Sequence, residues 1–376
     1  MPGTATPLVS VILPAYNAAR FIRASIGSVL RQTFSRFELI VVDDGSTDGT
    51  AAIVAEAARH DPRIILLHQP NSGVAAARNR AIEHARGRYI APIDADDLWF
   101  PEKLFKQVQS IERAHEGTGA IYAWSVRIDA SGNITHRKPR PELRGWLYPA
   151  FAYKNFCSAS APLIRRDCLI KVGAYDPSLR AQNAEGCEDL DLLLKLAEHF
   201  DFELVAEFLL GYRLWDGSMS CKVAVMDRSH RIVMQRVKQG TVRLPPQIIR
   251  WSRSEFCLHL VTKCRQAVQP AGVCKYLLKA IWYDPCLLRT ASIYRIAMEA
   301  AFTATGVRRT APVAHRPAQG RAHNRPGRRQ RELLARVDYI RRYAEARGRM
   351  SVPLPAAAAS SGGTATIGAS SRIQSR

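Results

Sequence analysis

Four short apolar runs in the first hundred residues each lead into a polar cluster, and that recurrence constrains the fold more than composition does. Residues 8–14 (Leu-Val-Ser-Val-Ile-Leu-Pro) run into Ala15-Tyr16-Asn17, and residues 37–42 into Asp43-Asp44-Gly45-Ser46. Residues 63–67 precede Asn71-Ser72-Gly73, and residues 89–93 end in Asp94-Ala95-Asp96-Asp97. Runs this short, closed by Pro, Gly, Asn or Asp, are the mark of buried strands. Between them apolar residues recur at helical spacing. Phe21, Ile22, Ile26, Val29 and Leu30 share one face, and further helices are expected over 50–58, 74–85 and 101–116. Strand alternating with helix predicts a mostly parallel sheet covered on both faces. Ligands of such sheets bind outside the carboxyl ends of the strands, so one rim should collect all four clusters.

The fourth cluster is the most demanding. Three carboxylates within four residues at the end of a buried strand repel one another and resist desolvation, so a positive partner is expected among them. A hard divalent cation suits an all-oxygen donor set. Helix capping is the plain structural alternative, since Asp97 shortly precedes the helix expected from Pro101, but three acids are too many for one cap.

Further along, residues 121–128 form another strand candidate, with a hairpin turn at 130–133, and regularity then fades until 160–164. Glu188, Asp189 and Asp191 open an apolar helix, where the helix dipole favours acids. Two strands are expected at 202–204 and 208–213, then helices over 254–267, 272–282 and 285–303. A shift in pattern at 220–227 divides the chain into an α/β unit, 1–220, a helical region, 221–305, and a basic tail, 306–376.

The chain carries a net charge of +21, and 15 Arg against three acids fall in that tail. Within it, residues 332–349 place Leu333, Leu334, Val337 and Ile340 at helical spacing; the rest, Arg, Pro and His-rich and then Ala, Ser and Gly-rich, is expected to be disordered. Such a block is either a solvated extension or an attraction to an anionic membrane surface. No aromatic-interleaved RNA motif, paired zinc ligands or heptad zipper occurs, so nucleic acid is not an expected partner. Eight cysteines without CxxC spacing fit a reducing cytoplasm. Neither a signal peptide nor an apolar stretch long enough to span a membrane is legible, so the expected location is cytoplasmic, peripheral to the membrane at most.

Five ordered motifs carry a family resemblance: Val-Ile-Leu-Pro-Ala-Tyr-Asn (11–17), Val-Asp-Asp-Gly-Ser-Thr-Asp (42–48), Asn-Ser-Gly-Val-Ala-Ala-Ala-Arg-Asn (71–79), Ile-Asp-Ala-Asp-Asp (93–97) and Glu-Asp-Leu-Asp-Leu (188–192). In these the chain resembles the family 2 glycosyltransferases over residues 8–220. The resemblance implies the GT-A fold, a Rossmann-like mixed, mostly parallel sheet flanked by helices. It also implies inverting transfer of a sugar from a nucleotide-diphosphate sugar to a glycan or lipid-linked acceptor in cell-surface polysaccharide synthesis.

The same resemblance implies roles. Tyr16 would stack on the base and Asp44 accept from a ring N–H, with Pro14 and Asn17 beside them; Tyr16 in the core and Asp44 as a turn cap are the plain alternatives. Asn71, Gly73, Arg78 and Asn79 would face the donor, with Arg78 pairing either phosphate or the acid cluster. Asp96 and Asp97 would hold Mn2+ or Mg2+ against the diphosphate, with Asp94 nearer the nucleotide, and Arg213 would touch the diphosphate. Asp189 would be the general base, with Glu188 and Asp191 close rivals that only the alignment sets aside. The string Gln247-Ile248-Ile249-Arg250-Trp251 spells an element of processive synthases, but reads here as an ordinary helix start. A non-catalytic module that keeps the nucleotide pocket for assembly or regulation is the competing class. Dinucleotide oxidation and P-loop chemistry are disfavoured, because neither GxGxxG after the first strand nor GxxxxGK[ST] occurs.

Overall fold

The computed structural model describes residues 6–137, 141–215, 217–304 and 328–347. In chain order the first part contains β1 (Val9–Ala15), α1 (Ile22–Leu30), β2 (Phe37–Asp43), α2 (Thr50–His60), β3 (Ile64–His68), α3 (Val74–His84) and β4 (Tyr89–Pro92). There follow β5 (Leu98–Trp99), α4 (Lys103–Arg113), β6 (Thr118–Ile128), β7 (Ile134–His136), α5 (Tyr148–Tyr153) and β8 (Leu163–Arg165). Then come α6 (Arg166–Lys171), α7 (Ser178–Ala181), α8 (Glu188–His199) and β9 (Asp201–Arg213). The remaining helices are α9 (Val223–Gln239), α10 (Pro246–Gln266), α11 (Pro270–Tyr283), α12 (Ala291–Ala304) and α13 (Arg328–Glu345).

Among the described residues the strands form one sheet in the order β3-β2-β1-β4-β8-β6-β9-β5, with β7 on β6. The first half is parallel: β1 pairs with β2 and β4, and β2 with β3. β8 runs antiparallel to both β4 and β6, while β6 and β9 run parallel. The fold is the expected GT-A-like mixed sheet flanked by helices. β1, β2 and β4 are buried throughout, so their sequences read as unbroken apolar runs. Pro14, expected at the donor, is instead buried within β1; it lies past Ile12, the last β1 residue paired to β4, where its missing N–H costs the sheet little.

This topology builds the rim. The carboxyl ends of β1, β2, β3 and β4 share one edge. Because β8 is antiparallel, residues before its start reach that edge as well, and so does the end of β9. Residues 93–97, 158–160 and 213–215 therefore meet in space, although Asp97 lies 63 positions before Ser160 and 116 before Arg213.

Three sequence expectations change. The two strands at 202–204 and 208–213 are one strand, β9, whose pairing with β6 jumps from Val205 to Phe208 at a bulge. The irregular stretch after 133 holds α5, α6, α7 and β8; α5 is buried on every side, so it shows no amphipathic period. The tail helix starts a turn earlier than 332, at Arg328, where Arg329 pairs with Glu255 at 3.7 Å. It packs on the fold through Val337, Ile340 and Ala344. Residues 305–327 and 348–376, expected to be disordered, lie outside the described residues. The Gln247–Trp251 string opens α10 and packs its Trp251 edge-on against Tyr153 and Tyr339, at 6.3 and 5.6 Å.

Arg336 of α13 pairs with Asp284; the Asp284 side chain is buried and that of Arg336 is only 11% exposed. Truncating one partner strands the other charge, so Arg336→Ala should lower stability by roughly 3–5 kcal/mol in urea unfolding. Arg329→Ala, at a half-exposed position, should cost no more than about 1 kcal/mol. Equal, negligible losses would show that α13 contributes nothing to the fold.

Candidate active site

One end of the rim is built on Asp44. One carboxylate oxygen accepts the Gln69 side-chain amide at 2.7 Å and the Ser72 N–H at 2.8 Å, and the other accepts the Gly73 N–H at 2.8 Å. Asp44 is therefore a brace that ties the end of β2 to the loop entering α3, and any ring N–H would have to share its remaining acceptor capacity. Gly73 makes the brace possible. Its φ of +90° is open to glycine, and a Cβ there would lie 2.8 Å from the Arg180 side chain. Asn71 accepts from Arg180, and Asn17 bonds across to the Thr47 N–H at 2.8 Å, so both act as ties between loops. Tyr16 is 52% exposed, which removes the core alternative and leaves a ring face open at the rim.

The acid cluster splits into three environments. Asp97 is buried; its oxygens accept the Arg213 N–H at 2.9 Å and the Ser160 hydroxyl at 2.6 Å. Ser160 also accepts the Asp94 N–H at 2.9 Å, so one hydroxyl fastens the cluster to the start of β8. Burial, and then the charges of Asp96 and Asp94, push the Asp97 carboxyl well up. Each Asp97 oxygen thus accepts one protein donor, so the residue braces the cluster and keeps only part of its acceptor capacity for the metal expected from the sequence. Asp96 gives one oxygen to the Trp215 indole N–H at 2.7 Å and keeps the other; burial and Asp94 raise its carboxyl too. Asp94 is partly exposed, with one oxygen on Arg78 at 2.5 Å.

Arg78 is buried. Its guanidinium lies 5.0 Å from the centre of the Tyr175 ring, and its Nε has no acceptor among the described residues. Asn79, expected to face the donor, instead exchanges two hydrogen bonds with the Tyr175 backbone, at 2.8 and 3.0 Å. Arg213, expected on the diphosphate, spends its guanidinium on the carbonyls of Asp96, Asp129 and Ala130 at 2.6 to 2.8 Å, so it is a strut beneath the cluster.

The first turn of α8 separates its three acids. Asp191 turns away to Arg236 and Lys195, at 2.9 and 2.7 Å, and is no longer a rival for the base. Glu188 is buried, accepts the Gly186 N–H at 2.8 Å, and has its carboxyl pushed up to about 7 by burial. Asp189 remains partly open, with one oxygen held by the Asn155 amide at 3.0 Å. Burial raises its carboxyl, Arg78 draws it down, and Asp94 pushes it up again, so Asp189 shares an electrostatic environment with the Arg78–Asp94 pair.

Asn155, Ser160, Trp215 and Tyr175 carried no motif in the sequence. Each acts through a hydrogen bond or ring contact to a residue far along the chain, and the sheet order alone brings them to the rim.

A divalent ion fits this cleft only with help. No group of three or more His, Cys, Asp or Glu among the described residues is arranged to hold one. Asp94 and Asp96 each keep an oxygen free of protein donors, and the raised Asp96 carboxyl marks uncompensated negative charge. Ions such as Mg2+ take one or two carboxylates and complete their shell with substrate phosphates and water.

The family model for glycosyl transferase family 2 matches residues 10–173. That span ends before Glu188 and Asp189. The putative teichuronic acid biosynthesis glycosyltransferase TuaG of Bacillus subtilis is 49% identical over 104 residues, 27% of this chain and 41% of that protein. The uncharacterized glycosyltransferase MJ1057 of Methanocaldococcus jannaschii is 32% identical over 213 residues, 55% of this chain and 71% of that protein. The chain thus spans less than half of TuaG. The mannosyltransferase PcManGT from Pyrobaculum calidifontis, solved in complex with GDP-Man and Mn2+, superposes with a TM-score of 0.52 at 19% identity over 82% of this chain and 83% of that one, a likeness of fold. On the family model and the extent of the match to MJ1057, this chain belongs to the family 2 glycosyltransferases.

Proposed function

We propose that this glycosyltransferase moves a single sugar, with inversion, from a nucleotide-diphosphate sugar to a glycan or lipid-linked acceptor in cell-surface polysaccharide synthesis. The observation that carries the reading is the placement of Asp189: partly open, hydrogen-bonded by Asn155, and in the field of the Arg78–Asp94 pair. TuaG, named for teichuronic acid biosynthesis, supports the polymer class, and the basic tail supports work at an anionic membrane surface.

In this reading the donor base lies against Tyr16, beyond the loop that Asp44 holds. The diphosphate lies over Asp94 and Asp96, near the unpaired Nε of Arg78. Asp94 and Asp96 would hold Mn2+ or Mg2+, whose chemistry is to stabilise the charge that gathers on the departing diphosphate. Asp189 takes the proton of the acceptor hydroxyl as that oxygen bonds to the anomeric carbon. The bond from that carbon to the diphosphate breaks on the opposite face, and its electron pair leaves with the diphosphate. Asn155 keeps the base in line, and the positive field of Arg78 works against the burial that raises the Asp189 carboxyl.

Asp189→Asn should cut transfer roughly a hundredfold to ten-thousandfold while leaving donor affinity unchanged. Asp96→Asn should weaken metal-dependent donor binding itself. Single-turnover transfer and calorimetric donor titration separate the two effects. Full transfer by Asp189→Asn overturns the base assignment, and donor binding without transfer by the unaltered protein, across an acceptor panel, favours the non-catalytic module.

Glu188 adds a pH dependence to stability. Its carboxyl titrates near 7 in the folded chain against an ordinary 4.5, so the folded state holds the extra proton between those values. The stability this contributes is complete below 4.5 and is lost as pH rises through about 7. Glu188→Gln should therefore flatten the fall in melting temperature over that window; an identical slope in both proteins would place Glu188 in an ordinary solvated environment.

A further inference from the structure

Helices α11 and α12 are apolar on two sides. Their inner sides bury Val273, Tyr276, Leu277 and Ala280 from α11, and Ile293 and Ala300 from α12. On the outer side of α11, Leu278 and Trp282, one turn apart, are 68% and 79% exposed. On α12, Tyr294 and Met298, again one turn apart, are 54% and 59% exposed. The turn between the helices adds exposed Leu288, whose carbonyl accepts the Tyr294 hydroxyl at 2.7 Å and so joins the turn to the α12 stripe. Single exposed apolar residues are ordinary on a protein surface, whereas a run of them on adjoining elements marks a contact surface.

The charge around this face selects its partner. The acids within 270–304 are Asp284 and Glu299, and both are paired, with Arg336 and Arg265 respectively. Lys275, Lys279, Arg289 and Arg295 belong to the same elements; Lys279 pairs with Asp227 at 3.1 Å and Arg295 with Glu299 at 3.9 Å, and the Arg295 side chain is still 74% exposed. A second copy of the chain would bring like charge against like charge, which is costly across an interface. Anionic lipid headgroups over hydrocarbon match both features, because Trp and Tyr favour the headgroup boundary and cations favour anionic lipid. No described helix is long and apolar enough to cross a membrane, so this contact lies along the surface of the bilayer.

We propose that the outer face of α11 and α12 is a membrane-docking surface for an anionic bilayer, with Trp282 as its anchor. This deepens the membrane-surface part of the proposed function and is independent of the transferase part, so vesicle binding and sugar transfer are measured separately.

The test is cosedimentation of the full chain with vesicles of phosphatidylcholine alone and of phosphatidylcholine mixed equally with phosphatidylglycerol. The unaltered protein should partition onto the mixed vesicles. The triple variant Leu278→Ser, Trp282→Ser, Met298→Ser should lose roughly tenfold or more in partitioning, with its circular dichroism and melting temperature unchanged. Replacing Arg308, Arg309, Arg316, Arg321 and Arg325 by Gln should weaken binding only in part. Trp282→Phe should still bind, yet lose a share of the tryptophan quenching caused by brominated lipid. The proposal is overturned if the triple variant binds as the unaltered protein does, if the Arg→Gln variant alone abolishes binding, or if Trp282→Phe leaves quenching intact. It is equally overturned if the unaltered protein ignores vesicles and forms a dimer that the triple variant cannot form, which would assign the face to a second copy.

Discussion

A guanidinium held away from water beside carboxylates is the constraint on which this cleft depends. Arg78 is buried on α3, bonded to Asp94 and felt by Asp189, and stacked near Tyr175. A buried arginine without counter-charge is costly, and so is a buried carboxylate. Each makes the other tolerable, and the Arg78–Asp94 pair ties α3 to the chain just past β4. The balance is incomplete, since Asp96 and Asp97 are both pushed up by burial and by their acidic neighbours. The residual negative charge is what a donor site for a metal-bridged diphosphate requires.

Around that pair the fold uses several polar side chains as structure. Asp97 ties β4 to β8 and β9 through Ser160 and Arg213, and Asp44 ties β2 to the loop before α3. Removing either leaves buried donors without acceptors, at a cost of about 1–3 kcal/mol for each. Loss of activity on substituting Asp97 therefore has two causes that activity alone cannot separate. Asp96 and Asp189, each with one oxygen free of protein donors, are the positions where chemistry and scaffolding come apart.

Much of the fold was legible because β1, β2 and β4 are buried runs closed by polar clusters, and parallel pairing then forces those clusters to one rim. The reading weakened wherever burial erased periodicity, as in α5, and where a bulge interrupted β9. Within the site, residue types were legible but the state of their hydrogen bonds was not. Nothing in residues 93–97 says that Asp97 is filled by Ser160, some sixty positions on, or that Arg213 is spent on carbonyls. Nor does the string at 188–192 say that Arg236 of α9 claims Asp191.

We propose that the cleft holds a divalent ion only together with a diphosphate, because Asp94 and Asp96 offer two open carboxylates in place of a closed cage. Calorimetric titration of the unaltered protein with Mn2+, with uridine or guanosine diphosphate, and with each in the presence of the other tests this directly. The account predicts weak binding of Mn2+ alone and mutual strengthening when metal and one of the nucleotides are combined. Tight binding of Mn2+ without nucleotide, or nucleotide binding indifferent to the metal, would contradict it.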